Sequence, residues 1–141
     1  MNRRDERGAA ATELALLVPA FMLLLAVMVG GGRMWLARGA VTEAAGAAAR
    51  AATLQRSAAE AEAAAQRAVS ANLADSAVVC ASKTVAVDTS GFAKAPGIPA
   101  TVTVRITCSV PLSDLLLPGF PGTVEASADG TSALDTYRGR R

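Results

Sequence analysis

Residues 14–32 read LALLVPAFMLLLAVMVGGG, nineteen residues without a charge between Glu13 and Arg33. As an α-helix that rises about 1.5 Å per residue, this run crosses most of the hydrocarbon core of a bilayer, which is about 30 Å thick. The sequence therefore predicts a transmembrane helix over residues 9–32, preceded by a short leader at residues 1–8.

Basic residues on the two sides of this run predict its orientation. Three Arg residues lie in the leader, whereas Arg33 and Arg38 follow the run on its far side. Because flanking segments rich in Lys and Arg tend to stay in the cytoplasm, we expect a cytoplasmic amino terminus. The chain would then cross the cytoplasmic membrane once and place everything after Arg33 outside the cytoplasm.

A cleaved secretory signal peptide is the alternative explanation of a basic leader followed by an apolar run. The run is longer than the roughly 7 to 15 residues usual in signal peptides. It ends in Gly-Gly-Gly-Arg without a convincing small-x-small cleavage site, and Glu13 stands where a signal peptide gains nothing from a carboxylate. These features favour a helix that is retained in the membrane.

Composition excludes several classes of function. The 141 residues contain no His, which excludes Ser-His-Asp triads and HExxH zinc sites. The formal net charge of +2 is too small to indicate a nucleic-acid partner. No nucleophile-base pair, clustered metal ligands or P-loop can be argued from the sequence, so we expect a protein that is not an enzyme and that holds neither a cofactor nor a metal ion.

Residues 33–74 are rich in Ala and contain no Pro, which predicts one continuous extracytoplasmic helix. Small side chains at a 4-3 spacing form a predicted stripe that would lie against a sheet or a neighbouring subunit. The stripe consists of Ala40, Ala44, Ala47, Ala51, Leu54, Ala58, Ala61, Ala65 and Ala68.

Residues 75–141 change to Val, Thr and Ser and predict a small antiparallel β domain with a polar tail. Residues 101–110 alternate apolar and polar side chains throughout, as a half-buried strand does. Further strands are predicted at 78–87 and 123–128, and the apolar residues Leu115, Leu116, Leu117 and Phe120 are expected to cover the sheet. The predicted fold class is α+β, with a long amino-terminal helix packed against this sheet.

The two cysteines, Cys80 and Cys108, fall in the first two predicted strands. If they face each other, the strands pair antiparallel with Ala86 opposite Val102. A disulfide is the expected state outside the cytoplasm, and the alternatives are a buried pair of free thiols or one Cys that acts as a nucleophile or ligand.

Two residues of the apolar helix invite a functional explanation. Glu13 places a carboxylate at the membrane, where charged groups are costly and usually functional; the alternative is that its side chain merely reaches the cytoplasmic headgroups. Pro19 removes one backbone hydrogen bond and predicts a kink in the helix, although Pro is also simply tolerated in membrane helices.

The spacing of Gly8 and Glu13 resembles the signal of type IV pilins, which a prepilin peptidase cuts after Gly. The longer stretch from Arg7 to Leu25, RGAAATELALLVPAFMLLL, resembles the opening of the TadE-like family, minor pilins or pseudopilins of the bacterial Tad/Flp (tight-adherence) pilus system. The resemblance covers roughly residues 7–52. One departure is Leu14, a position that is often aromatic in the family.

This resemblance implies a structural subunit that is processed between Gly8 and Ala9 and enters a pilus through its amino-terminal helix. Glu13 would pair with the amino terminus of a neighbouring subunit, so that neither charge stays alone in an apolar place. The implied partners are a prepilin peptidase, the major Flp pilin, companion TadE-like or TadF-like subunits, the inner-membrane assembly platform and membrane lipid. The alternative function is a membrane-anchored extracytoplasmic binding or adhesive module that is not built into a filament.

Processing after Gly8 is the first testable prediction. Because Gly8 ends a short basic leader five residues before Glu13, we expect the mature chain to begin at Ala9, with or without a methyl group. Intact-mass analysis of protein isolated from its native envelope measures this directly. A chain that starts at Met1, or beyond Trp35, would contradict the resemblance to pilins.

Overall fold

The structure is a computed structural model that describes residues 3–113, 122–137 and 139, with side chains from residue 13 onward. Its elements are the helices α1 (Arg3–Thr53) and α2 (Ala58–Asp75), the strands β1 (Ser82–Asp88), β2 (Thr101–Pro111) and β3 (Thr123–Ala133), and a 3₁₀ turn at Ser90–Ala93. This arrangement confirms the predicted α+β class. The cover predicted at Leu115–Leu117 and Phe120 lies outside the described residues, as do residues 138, 140 and 141 of the polar tail.

The three strands form one antiparallel sheet in the order β1-β2-β3, and both helices pack on the same face of it. Strand β2 lies in the centre and alternates as predicted, with Val102, Val104 and Ile106 buried beneath the helices. Its other face carries Thr, Arg and Ser and remains open to solvent. The core is therefore a single layer between the sheet and the helix pair.

The prediction of one continuous helix over residues 33–74 is wrong, because the structure divides this stretch between α1 and α2. Ser57 caps the start of α2, and its hydroxyl accepts a hydrogen bond from the Glu60 backbone N–H at 3.3 Å. The Ser57-Ala-Ala-Glu60 spacing is that of a capping box. Helix propensity favours continuation through these residues, but the turn allows α2 to fold back along α1 and share its core.

The predicted stripe of small residues is also only partly correct. Ala44, Ala61 and Ala65 are buried, whereas Leu54 is 68% exposed. The buried face of α1 is instead made of Ala37, Val41, Ala44, Ala45, Ala48, Ala49 and Ala52. This face differs from the predicted stripe by about one residue around the helix.

Helix α1 approaches the backbone of β3 closely at Gly130. A Cβ atom at this position would overlap the carbonyl group of Ala45 and the backbone nitrogen of Gly46. The inward positions of β3 are correspondingly small, namely Val124, Ala126, Ala128, Gly130 and Ser132. Near the end of α1, the hydroxyl oxygens of Thr53 and Ser132 lie 3.2 Å apart and are hydrogen-bonded.

The register predicted between the first two strands is wrong by three residues. Ala86 pairs with Arg105, not with Val102, and the ladder partner of Cys108 is Lys83. An odd shift in register exchanges the two faces of a strand. The observed register turns Val85 and Val87 towards the core, whereas the predicted one would have turned Thr84 and Ala86 inward.

The contact at Gly130 predicts a large effect of one added methyl group. We expect Gly130→Ala to lower the free energy of unfolding by roughly 2 kcal/mol, because α1 and β3 must separate to admit the methyl group. The matched control is Gly39→Ala, since a Cβ at Gly39 meets nothing within 4 Å and Ala favours a helix over Gly by up to about 1 kcal/mol. Denaturant unfolding of both variants in detergent, followed by circular dichroism, tests the pair, and equal stability of the Gly130 variant and wild type would contradict the packing described.

Candidate functional site

The first half of α1 presents a long apolar surface that the rest of the described chain does not cover. We call residues 13–36 the apolar segment. Large apolar side chains along it are exposed, for example Leu16 at 79% and Met28 at 65%. Among the described residues, α1 is the helix long and apolar enough to cross a membrane. Core helices of soluble proteins can have the same composition, but they are buried, and this segment is not.

The second half of the same helix belongs to the folded domain. From Ala37 to Ala52 one face of α1 is buried against α2, β2 and β3, and the helix continues without interruption between the two halves. The three glycines at 30–32 do not break it. The apolar segment is thus a direct extension of a helix that the domain core holds in place.

The predicted processing and pairing residues lie near the start of α1. Gly8 and Ala9 are within the helical backbone. Glu13 is exposed, and it has no hydrogen bond or ion pair with the side chains that the structure describes. Because Ala9 and Glu13 are four residues apart in a helix, they lie on the same face, one turn from each other.

Pro19 lies inside α1, six residues after Glu13. The helix continues through Pro19 to Thr53. The kink that the sequence suggested at this position stays a prediction.

Cys80 and Cys108 form a disulfide with their Cα atoms 5.4 Å apart, as predicted. Cys108 is buried on the core face of β2, whereas Cys80 lies ahead of β1, in the connection from α2. The disulfide therefore joins the α2–β1 connection to the central strand. The two cysteines are not opposite each other in the β1–β2 ladder. The neighbouring Ala81 N–H donates to the Ser109 carbonyl oxygen at 2.8 Å.

A further polar contact that the sequence analysis did not single out joins β2 and β3 on the open face of the sheet. Arg105 donates two hydrogen bonds to the carboxylate of Asp129, from Nε at 2.7 Å and from Nη2 at 2.8 Å. These hydrogen bonds lower the pKa of Asp129. A carboxyl group with a lowered pKa contributes stability at neutral pH that is lost as the pH falls through that pKa, so the pair supports strand pairing and indicates no catalytic role.

Groups of three or more His, Cys, Asp or Glu side chains that could hold a metal ion do not occur in the part of the chain that the structure describes. The apolar segment with Glu13 at its start is therefore the strongest candidate for a functional site. The geometry is that of a membrane-associated protein with one candidate span and a small disulfide-bonded domain.

Comparison with protein families agrees with this class. Residues 8–50 match the family model described as TadE-like protein, which confirms the resemblance seen in the sequence. The match associates this part of the chain with subunits of Tad pili, which are not a known enzyme family and which act with pilin-type partners. No curated protein and no solved structure matches the chain.

The disulfide predicts how the domain responds to reduction. It should stabilise the fold by about 2–4 kcal/mol, mainly by restricting the unfolded chain. We therefore expect reductant to lower the free energy of unfolding of the wild type. The reduced wild type should be about as stable as the double variant Cys80→Ala/Cys108→Ala is without reductant. Denaturant midpoints of both proteins with and without reductant measure this, and the double variant, which has no thiols, controls for other effects of the reductant. Recovery of free thiols from cells alkylated at lysis would contradict the bond.

Proposed function

We propose that this chain is a minor pilin or pseudopilin, a structural and assembly subunit of a Tad/Flp-type pilus. It is inserted in the cytoplasmic membrane with its amino terminus in the cytoplasm, is cut after Gly8, and is incorporated through its amino-terminal helix. The observation that carries the proposal is the exposed apolar segment of α1, which starts at Glu13 and lies within the stretch that matches the TadE-like model.

The first step of the proposal concerns the two environments of α1. A side chain such as Leu, when fully exposed to water, forfeits about 1.5–3 kcal/mol relative to a buried one. The apolar segment exposes more than ten large apolar side chains, including Leu14, Leu17 and Phe21. Lipid covers them before assembly, and the helices of neighbouring subunits cover them in a filament.

The second step concerns charge. Cleavage after Gly8 would leave a positive amine on Ala9, one helical turn before Glu13. Glu13 has no ion pair with the side chains described from residue 13 onward, so in an apolar bundle its carboxylate is available to a positive group of another subunit. Pairing with the amine of a neighbouring subunit satisfies both groups, and loss of one member of a buried pair costs about 3–5 kcal/mol. This pairing selects the axial register between adjacent helices.

The proposed partners follow from these steps. A prepilin peptidase cuts the leader, and the major Flp pilin and companion TadE-like or TadF-like subunits pack against the apolar segment. The membrane platform of the pilus system supplies the work of assembly, since the sequence contains no P-loop.

A second candidate function is a membrane-anchored extracytoplasmic binding or adhesive module. The exposed sheet face, with its Thr and Ser side chains and the Arg105–Asp129 pair, supplies a surface for such a role. A plain anchor has no use for a carboxylate at position 13, which favours the pilin, and cleavage after Gly8 would discriminate between the two functions because an anchor has no use for it.

Substitution of Glu13 separates these two functions. We expect Glu13→Leu to insert in the membrane and to be cut after Gly8 as wild type is, because the leader and the apolar run remain intact. Co-isolation with the major pilin, or recovery in sheared surface fractions, should fall at least tenfold, which corresponds to about 1.4 kcal/mol and is well within the cost of an unpaired buried charge.

The matched control is Glu62→Leu, which removes an exposed carboxylate from α2 outside the apolar segment. It should insert, be cut and co-isolate as wild type does. Equal co-isolation of Glu13→Leu and wild type at equal membrane levels would show that Glu13 does not govern assembly, and the anchored module would then be preferred.

A further inference from the structure

The direction of each element decides which connections lie near the apolar segment. Helix α1 enters the domain at about Ala37 and ends beside Ser132, near the end of β3. Because α2 folds back along α1 and the strands are antiparallel, α2 and β2 both run back towards the apolar segment. The α2–β1 connection and the end of β2 at Pro111 therefore lie at the end of the domain from which the apolar segment emerges.

Four apolar residues meet at this end, and we call them the span-end surface: Trp35, Leu36, Val78 and Val79. A cavity of about 490 Å³ is lined by Leu36, Val78 and Val79, together with Pro111 of β2. An adjoining cavity of about 710 Å³ is lined by Trp35, Leu36 and Val78. Trp35 is 77% exposed and Val79 is 74% exposed, so the described chain leaves this surface uncovered.

The span-end surface is held in place from both sides. Trp35 and Leu36 belong to the unbroken helix α1. Val79 immediately precedes Cys80, whose disulfide to the buried Cys108 ties the α2–β1 connection to the central strand. Val79 lines the same cavity as Leu36, and the adjacent disulfide limits how far this connection can move from β2.

The level of this surface along α1 is set by helix geometry. Leu36 follows Gly32, the last residue of the apolar run, by four residues, or about 6 Å. The headgroup layer on each side of the hydrocarbon core is about 5–8 Å thick. If α1 spans the bilayer as the proposed function requires, Leu36 and the neighbouring Val79 stand at the depth of the headgroups.

We propose that the span-end surface lies in the headgroup layer of the membrane that α1 crosses, and that Val79 gives the domain a second point of contact with lipid. The domain then rests on the bilayer and does not stand away from it on a free helix. This inference rests on the proposed function only in its use of α1 as a membrane span.

Lipid is the occupant that the observations favour. Trp35 and Leu36 are the last two residues of the apolar segment, and Arg33 is the one charged residue between Gly32 and Leu36, so the surface adjoins the part of α1 that would lie in the membrane. Trp is typical of the membrane interface. Arg33 lines the first cavity, and Arg38 lines the second together with Glu43; basic side chains at this depth suit lipid phosphates. A second copy of the chain is the competing occupant.

Fluorescence quenching in vesicles tests the inference with the full chain. Trp35 is the only Trp residue, so Trp35→Phe provides a background for single-Trp reporters. The reporter Val79→Trp is added to this background, with Ala77→Trp in the same exposed connection as a second reporter. The vesicles contain phosphatidylcholine and phosphatidylglycerol, with or without brominated phosphatidylcholine as the quencher in the membrane, and acrylamide is the quencher in water.

Two further reporters serve as controls. Ile98→Trp places the reporter in the β1–β2 connection, at the opposite end of β2, where Ile98 is 51% exposed. Leu24→Trp places it in the middle of the apolar segment and reports whether α1 enters the membrane at all.

We expect brominated lipid to reduce the emission of the Val79→Trp and Ala77→Trp variants and acrylamide to quench them weakly, with the reverse for Ile98→Trp. If Leu24→Trp is quenched by brominated lipid but both connection reporters behave like Ile98→Trp, the inference is overturned while the span stands. If Leu24→Trp also escapes brominated lipid, the proposed function fails instead. A third outcome is that the connection reporters are protected from acrylamide but are not quenched by brominated lipid, and that this protection grows with the protein-to-lipid ratio. That result would assign the surface to a second copy of the chain and overturn the proposal of lipid contact.

Discussion

The close approach of helix α1 to strand β3 is the constraint on which the rest of the structure depends. Ala45 and Gly130 meet backbone to backbone, with no room for a side chain between them. Alanine methyl groups bury little area each, so an Ala-rich helix gains cohesion chiefly from short distances and many dispersion contacts. The small inward residues of β3 make this distance possible. Since α1 is continuous, the same contact also determines the direction in which the apolar segment leaves the domain.

The parts of the fold that could be predicted from sequence are those in which composition changes sharply with position. The uncharged run before Arg33 and the alternation of β2 each stand out against their surroundings. The predicted strand is confirmed, and the run forms part of a helix long and apolar enough to cross a membrane. In the Ala-rich stretch almost every position is small, so periodicity cannot identify the buried face, and high helix propensity hides the turn before Ser57. The capping box at Ser57 and Glu60 was the available signal for that turn. Gly130 carried no signal, because its role depends on a helix more than eighty residues away in sequence.

The sheet illustrates how two kinds of evidence can conflict. Pairing Cys80 with Cys108 as ladder partners would have placed Thr84 and Ala86 in the core, while the apolar residues Val85 and Val87 would have faced solvent. Hydrophobic burial determines the register, and the disulfide adapts to it because Cys80 lies before β1, where the connection can bring its sulfur to Cys108. The disulfide was predictable from the two cysteines and the extracytoplasmic location expected for this part of the chain. Prediction of the register required the alternation of apolar and polar residues within β1. Placing the two cysteines opposite each other led to a different register.

A continuous helix couples the two ends of the proposed subunit. Glu13 and Ala45 are 32 residues apart, about 48 Å along a straight helix, and each residue turns the helix by about 100°. If pairing of Glu13 with a neighbour selects the rotation and height of α1, it thereby selects which face of the domain meets the next subunit. Pro19 is the one proline in α1 and lies between these two positions. It removes a hydrogen bond of the helix, so a bend there would loosen this coupling: the segment around Glu13 would adjust to its neighbour while residues 20–52, and the domain packed on residues 37–52, keep their orientation. Pro19 lies close to Glu13 and far from Gly130. This position suits a subunit in which Glu13 must fit a neighbouring helix while the domain keeps its own packing on α1.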